Sequence, residues 1–162
     1  MKPTILLVTT AAVLISLNWL ILDKEILRRS GRTVLCELAP TDPRSIMQGD
    51  YMVLRYKVAE DAAPKLAADD YDGRLVLKLD AQDVATFQRV DAGAPLAADE
   101  VRLRFRRRGA SGWTRGSVRI GAESYFFQEG RADDFAQARY GELKVSKSGE
   151  CLLIGLRDAA FR

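Results

Sequence analysis

The chain has 162 residues, 48% of them hydrophobic and 29% charged, which suits one domain with one extra element and excludes a multi-domain machine. It has no histidine, so Ser-His-Asp triads, Cys-His pairs and histidine-ligated metals are excluded; carboxylate chemistry, a Ser/Thr-Lys pair or an oxygen-ligated metal stay open. Of the 25 basic and 22 acidic residues behind the net charge of +3, five basic (Lys2, Lys24, Arg28, Arg29, Arg32) and two acidic (Asp23, Glu25) fall in 1–32, so 33–162 holds 20 of each. A neutral body gives no sign of nucleic-acid binding.

From Thr4 to Leu22 the sequence TILLVTTAAVLISLNWLIL carries no charge. As a helix it would be about 28 Å long, close to the hydrocarbon thickness of a bilayer. Trp19 falls near the expected interface. The run is longer than a secretory signal's apolar core, and Asp23-Lys24-Glu25 follows it in place of a small-x-small cleavage site. The expectation is an uncleaved single-pass anchor whose helix continues to about Arg29. The positive-inside rule, taken literally, puts the body in the cytoplasm, because Lys24, Arg28, Arg29 and Arg32 follow the span. Against that, Arg28 and Arg29 can snorkel, and Lys2 with the terminal amine can hold the N-terminus inside. We expect the body on the periplasmic side of a bacterial inner membrane.

Beyond the anchor, apolar residues recur with a period of two. Strands are expected over Thr33–Ala39, Tyr51–Val58, Arg74–Asp80, Val84–Val90, Val101–Arg107, Gly116–Ile120, Ser124–Gln128, Leu143–Ser146 and Cys151–Arg157. Asp72-Gly73, Ser111-Gly112 and Ser148-Gly149 supply turns, the last closing a terminal hairpin. Ala59–Asp72 reads as a long, mobile loop, and Ala132–Arg139 as one short helix with Asp133 and Asp134 in its first turn. The fold class is therefore mainly β: a transmembrane helix in 1–32, then one antiparallel β-sandwich or barrel-like domain with a short helix in 33–162. Cys36 and Cys151 lie in the apolar runs TVLCEL and ECLLIGL at opposite ends of that domain. A bridge between first and last strand and two buried free thiols are both compatible with this placement.

Four charged side chains, Arg102, Arg104, Arg106 and Arg108, share one face of their strand, with Leu103, Phe105 and Arg107 on the other. A solvated or edge-protecting face is the plain reading, and anionic lipid the functional one for a tethered domain. Asp69-Asp70-Tyr71-Asp72-Gly73 is acidic, but Ala68 and Leu79 stand where an EF-hand loop needs its first and last ligands. No metal site and no cofactor is expected.

The densest motif is Leu38–Tyr56, LAPTDPRSIMQGDYMVLRY. Asp42-Pro43 suits a cap and a first helical turn, Gly49 a left-handed turn, and Asp50 an acceptor for backbone amides there. Gly49-Asp50-Tyr51-x-x-Leu54-x-Tyr56 resembles the motif of the GDYxxLxY family of uncharacterised membrane-anchored bacterial proteins. Pro40-x-Asp42-Pro43-Arg44-Ser45 and Tyr125-Phe126-Phe127-x-Glu129-Gly130 are similar to its flanking segments, so the resemblance covers nearly the whole chain. It implies a membrane-tethered domain, often encoded beside or fused to multi-pass membrane proteins, and no established activity. A weaker likeness is to signal-peptidase-type proteins, whose serine lies eight residues before a Gly-Asp; here Thr41 takes that place and Gln88 stands where the lysine base is needed.

Together these readings point to a membrane-anchored binding or accessory module working with another membrane protein. Its contact surface would be built around Asp42, Arg44, Asp50, Tyr51 and Tyr56, with Glu129 as a further candidate and Arg44 free to pair with Asp50 or Glu129. The alternative is a degenerate Ser/Thr-Lys hydrolase using Thr41 or Ser45.

Overall fold

A helix begins at the N-terminus and nothing in its sequence interrupts it: α1 (Pro3–Ser30) opens on a proline, whose missing N–H costs nothing in a first turn. The polar groups inside it are satisfied internally, with the Thr9 hydroxyl donating to the Ile5 carbonyl at 3.0 Å, Ser16 to Ala12 at 2.8 Å and the Asn18 amide to Leu14 at 2.8 Å. In this computed structural model, which describes residues 3–39, 47–48, 51–67, 69–111, 114–128, 135 and 137–162, none of the most apolar stretch of α1 is buried. The helix is long and apolar enough to cross a membrane.

The end of α1 is docked on the rest of the chain. Glu25 is clasped by Arg28 at 2.8 Å and Arg29 at 2.5 Å, cations that also suit a helix C-terminus. Just beyond Glu25, Leu27 is buried. The Gly31 amide then donates to the Leu27 carbonyl at 2.9 Å, and the chain turns directly into a strand. A Cβ at Gly31 would lie 2.6 Å from that carbonyl oxygen, so the turn needs a glycine for space.

Ten strands are formed by the described residues: β1 (Arg32–Glu37), β2 (Met47–Gln48), β3 (Tyr51–Val53), β4 (Asp72–Leu79), β5 (Val84–Val90), β6 (Glu100–Ser111), β7 (Thr114–Arg119), β8 (Ser124–Phe126), β9 (Tyr140–Val145) and β10 (Cys151–Arg157). Seven form one sheet in the order β10-β9-β1-β5-β4-β6-β7, and β2, β3 and β8 form a small second one. The barrel-like, mainly β architecture expected from the sequence is present, with one departure: β1 and β5 pair in parallel, Leu35 opposite Val84, while the other neighbours in the large sheet are antiparallel.

The large sheet curls into a half-barrel whose two ends approach each other. The Arg104 amide of β6 donates to the Gly149 carbonyl of the β9–β10 turn at 2.7 Å. Cys151, at the start of β10, donates its thiol to the Ile120 carbonyl just past β7 at 3.1 Å, linking the first and last strands of the order. Inside the curl, Val34, Cys36, Leu75, Leu77, Leu103, Phe105 and Leu143 are almost wholly buried. Both cysteines are free thiols, so the bridge left open by the sequence is not made.

Two expectations change. The strand expected over Tyr51–Val58 stops at Val53, and a short helix, α2 (Lys57–Ala62), starts where it was to end. The expected loop Ala59–Asp72 is therefore helical in its first part, continuing as a 3-10 turn over Ala63–Lys65. Val58, Ala59 and Ala62 bury one face of α2 against the core, an attachment that alternation alone does not reveal. The other expectation was a solvated or edge-protecting arginine face: β6 pairs on both sides, so edge protection is not its role, while Arg104, Arg106 and Arg108 are solvent-exposed. Of the helix expected at Ala132–Arg139, half the residues lie outside those described, and of 135 and 137–139 only Phe135 is helical.

Candidate functional site

The motif strand β3 and the extended residues after it divide cleanly by face. Met52, Leu54 and Tyr56 are buried, while Val53 is 41% exposed and Arg55 points outward to pair with Glu60 at 3.0 Å. The Leu54 amide carries the β3–β8 register one residue further, to the Glu123 carbonyl at 2.7 Å; the partner then changes, the Arg55 carbonyl accepting from the Ala39 amide at 2.8 Å and Leu38 bridging Tyr56. Tyr56, expected on the contact surface, is instead 2% exposed and its hydroxyl donates to the Ala122 carbonyl at 2.7 Å. Burial pushes its phenol well above the ordinary value, reinforced by the nearby Cys36, Cys151 and Glu123.

Tyr56 thereby fixes the turn between β7 and β8. That turn has Gly121 at φ +88°, a conformation glycine adopts without strain. Glu123 closes it by accepting from the Ile120 and Gly121 amides at 2.5 and 3.1 Å. Cys151 donates to the Ile120 carbonyl and Tyr56 to the Ala122 carbonyl, so side chains from distant parts of the chain satisfy the turn's backbone acceptors. The tyrosine that ends the motif is thus a fold determinant.

The downstream aromatic segment splits in the same way. Tyr125 and Phe127 pack on the core, with ring centroids 5.2 and 5.4 Å from that of Phe135, whereas Phe126 is 74% exposed. Tyr51 pairs with Phe126 and Val53 with Ser124, so Val53 and Phe126 are diagonal neighbours on one outward face of the small sheet. Alternation from Tyr51 already places Val53 and Arg55 on the face opposite Met52, Leu54 and Tyr56; that Phe126 joins Val53 comes from the β3–β8 pairing, which the sequence does not give.

Of the other expected site residues, Asp42, Arg44, Asp50 and Glu129 lie outside the described residues, as do Thr41 and Ser45; Tyr51 is described by its backbone alone. Gln88, at the place a peptidase-like base would need, lies on β5. Among the described residues no cluster of three acidic or cysteine side chains could hold a metal ion. The Cys36 thiol is driven far up by burial, and that of Cys151 to about 12 by burial and then by Glu123 and Glu150, so neither is an activated nucleophile.

A family model described as "GDYXXLXY protein" matches residues 13–156. No curated protein and no solved structure matches the chain.

Proposed function

Because the chain belongs to the GDYXXLXY family, a family without an assigned activity, we propose that it works as a membrane-anchored binding or accessory module for a multi-pass membrane protein. Residues 1–32 serve as a single-pass bacterial inner-membrane anchor, and 33–162 as the periplasmic body. The observation that carries the reading is the outward face of the small sheet. Val53 and Phe126 expose apolar surface there, on the strands that hold the family motif and its downstream segment. Exposed apolar side chains beside polar ones are what a docking surface needs, and hot spots favour aromatic anchors. Asp42, Arg44, Asp50, Tyr51 and Glu129 supply the polar part of the contact surface; Tyr56 supports it from inside.

The membrane argues for the class of partner. Leu27 is packed on the sheet five residues after the apolar run ends, so the body is held against the bilayer rather than on a long tether. Co-purification of the full chain from native membranes tests the reading. A multi-pass membrane protein should be enriched with the wild type and reduced at least tenfold with Asp50→Ala, Tyr51→Ala or Phe126→Ser. Equal recovery with wild type and variants would refute it.

A further inference from the structure

Where the two ends of the curled sheet approach each other, a cleft of about 510 Å³ opens, lined by Lys24, Arg104, Arg106, Arg108 and Arg119 over a base of Phe105, Ile120 and Cys151. Five cations meet only Glu123 and Glu150 in the lining, and Glu123 is engaged by the turn it closes. Glu150 is shared between Lys24 at 3.5 Å and Arg104 at 3.9 Å. Arg102, the fourth member of the expected arginine face, is excluded, because Asp91 holds it at 2.7 Å.

Arg106, Arg108 and Arg119 have no hydrogen-bond or ion-pair partner for their side chains among the described residues. Arg106 and Arg119 stand directly opposite each other on β6 and β7, a like-charge cross-strand pair that costs stability. Asp72 is opposite Arg106 on the other side but makes no ion pair with it. An anion in the cleft would relieve this repulsion.

The position of the cleft identifies the anion. Lys24 lines it and lies two residues beyond Leu22, about 3 Å further along the helix axis. That is within the headgroup layer, which extends roughly 5–8 Å beyond the hydrocarbon on each side. We propose that this cleft binds the headgroup of an anionic phospholipid, the guanidinium groups of Arg106, Arg108 and Arg119 receiving the phosphate and the apolar base accommodating the neighbouring glycerol and acyl carbons. The inference rests on α1 lying in the membrane. Alkaline carbonate extraction tests that placement separately: release of the chain would remove the anchor without any reading of the cleft.

The test uses the full chain in maltoside micelles, titrated with dioctanoyl phosphatidylglycerol, dioctanoyl phosphatidylcholine and inorganic phosphate. Saturable binding of the anionic lipid, at least tenfold tighter than of the zwitterionic one and unaffected by equimolar phosphate, is expected. The triple variant R106Q/R108Q/R119Q should weaken it about 100-fold, near fivefold for each cation removed at a membrane surface. The triple variant R106K/R108K/R119K, which keeps the charge, should retain binding within about tenfold of wild type. Equal binding of both lipids, unchanged binding in the glutamine triple, loss in the lysine triple, or displacement by phosphate would each overturn the proposal.

Discussion

The Tyr56 ring occupies the space above Gly141: a Cβ on that glycine would lie 2.8 Å from the ring's Cε1 and 3.1 Å from its hydroxyl. The ring cannot move aside without breaking the bond from its hydroxyl to Ala122. Gly141→Ala should therefore destabilise the fold by about 1–3 kcal/mol through overpacking. Tyr56→Phe should cost a similar amount, about 1–3 kcal/mol, by leaving the Ala122 carbonyl unpaired in the interior. Urea midpoints of the two variants check this, and a midpoint equal to wild type for either would contradict the packing described.

At the other end of the sheet, the Gly31 turn couples anchor to body. Gly31→Ala places a methyl against the Leu27 carbonyl oxygen, with Lys144 and the Leu27 side chain also at 3.0 Å. The backbone must shift, undoing the amide bond from Gly31 to Leu27 and loosening the buried Leu27. A loss of about 1–3 kcal/mol is expected, together with faster tryptic cleavage after Arg28, Arg29 and Arg32. Cleavage at the wild-type rate would show that the junction is not tight.

Acid sensitivity follows from two carboxylates beside the β5–β6 connection. Glu100 is held at about 2 by hydrogen bonds from Arg89 and the Ala97 amide. Burial opposes ionisation of Asp91, but the Arg102 hydrogen bond, the Gly93 amide and the charges of Arg102 and Arg74 outweigh it and lower its value. A folded-state value below the unfolded one means stability that is complete above the unfolded value and lost as pH falls toward the folded one. The urea midpoint should therefore decline between about pH 4.5 and pH 2, and Glu100→Gln should flatten that decline. An unchanged pH profile in the variant would show that Glu100 does not carry the effect.

Both thiols should be inert in the folded chain. Cys36 is fully buried and Cys151 half-buried, with its thiol held near 12. A disulfide-exchange reagent at pH 7.5 should label neither on the minute scale and both after denaturation. Rapid native labelling would contradict the packing of β1 and β10. Membrane sidedness consequently needs an introduced cysteine, and exposed Lys65→Cys is suitable: it should react with an impermeant maleimide from outside intact spheroplasts.

What could be read in the sequence was local. Val84–Val90 and Cys151–Arg157 form strands over the expected residues, and α1 ends one residue past the expected Arg29. The over-long strand at Tyr51–Val58 shows why pattern fails at a junction. Leu54, Tyr56 and Val58 are all buried, so a period of two continues into α2 even though the backbone has become helical. The parallel pairing of β1 with β5 and the meeting of β6 with the β9–β10 turn are set by long-range closure, which no local period encodes. At the candidate site, alternation separates Val53 and Arg55 from Met52, Leu54 and Tyr56, but it does not tell which face the core takes. Phe126 and Tyr56 are both aromatics within alternating runs, yet one is outward and the other holds a turn from within.

Whether the small sheet is a docking surface is decided by site-specific photocrosslinking in native membranes. A crosslinker placed at Phe126 or at Asp50 should give a discrete adduct with one multi-pass membrane protein, while the same group at Lys65 gives none. Absence of an adduct from the first two positions, or the same adducts from all three, would contradict a docking role for the small sheet.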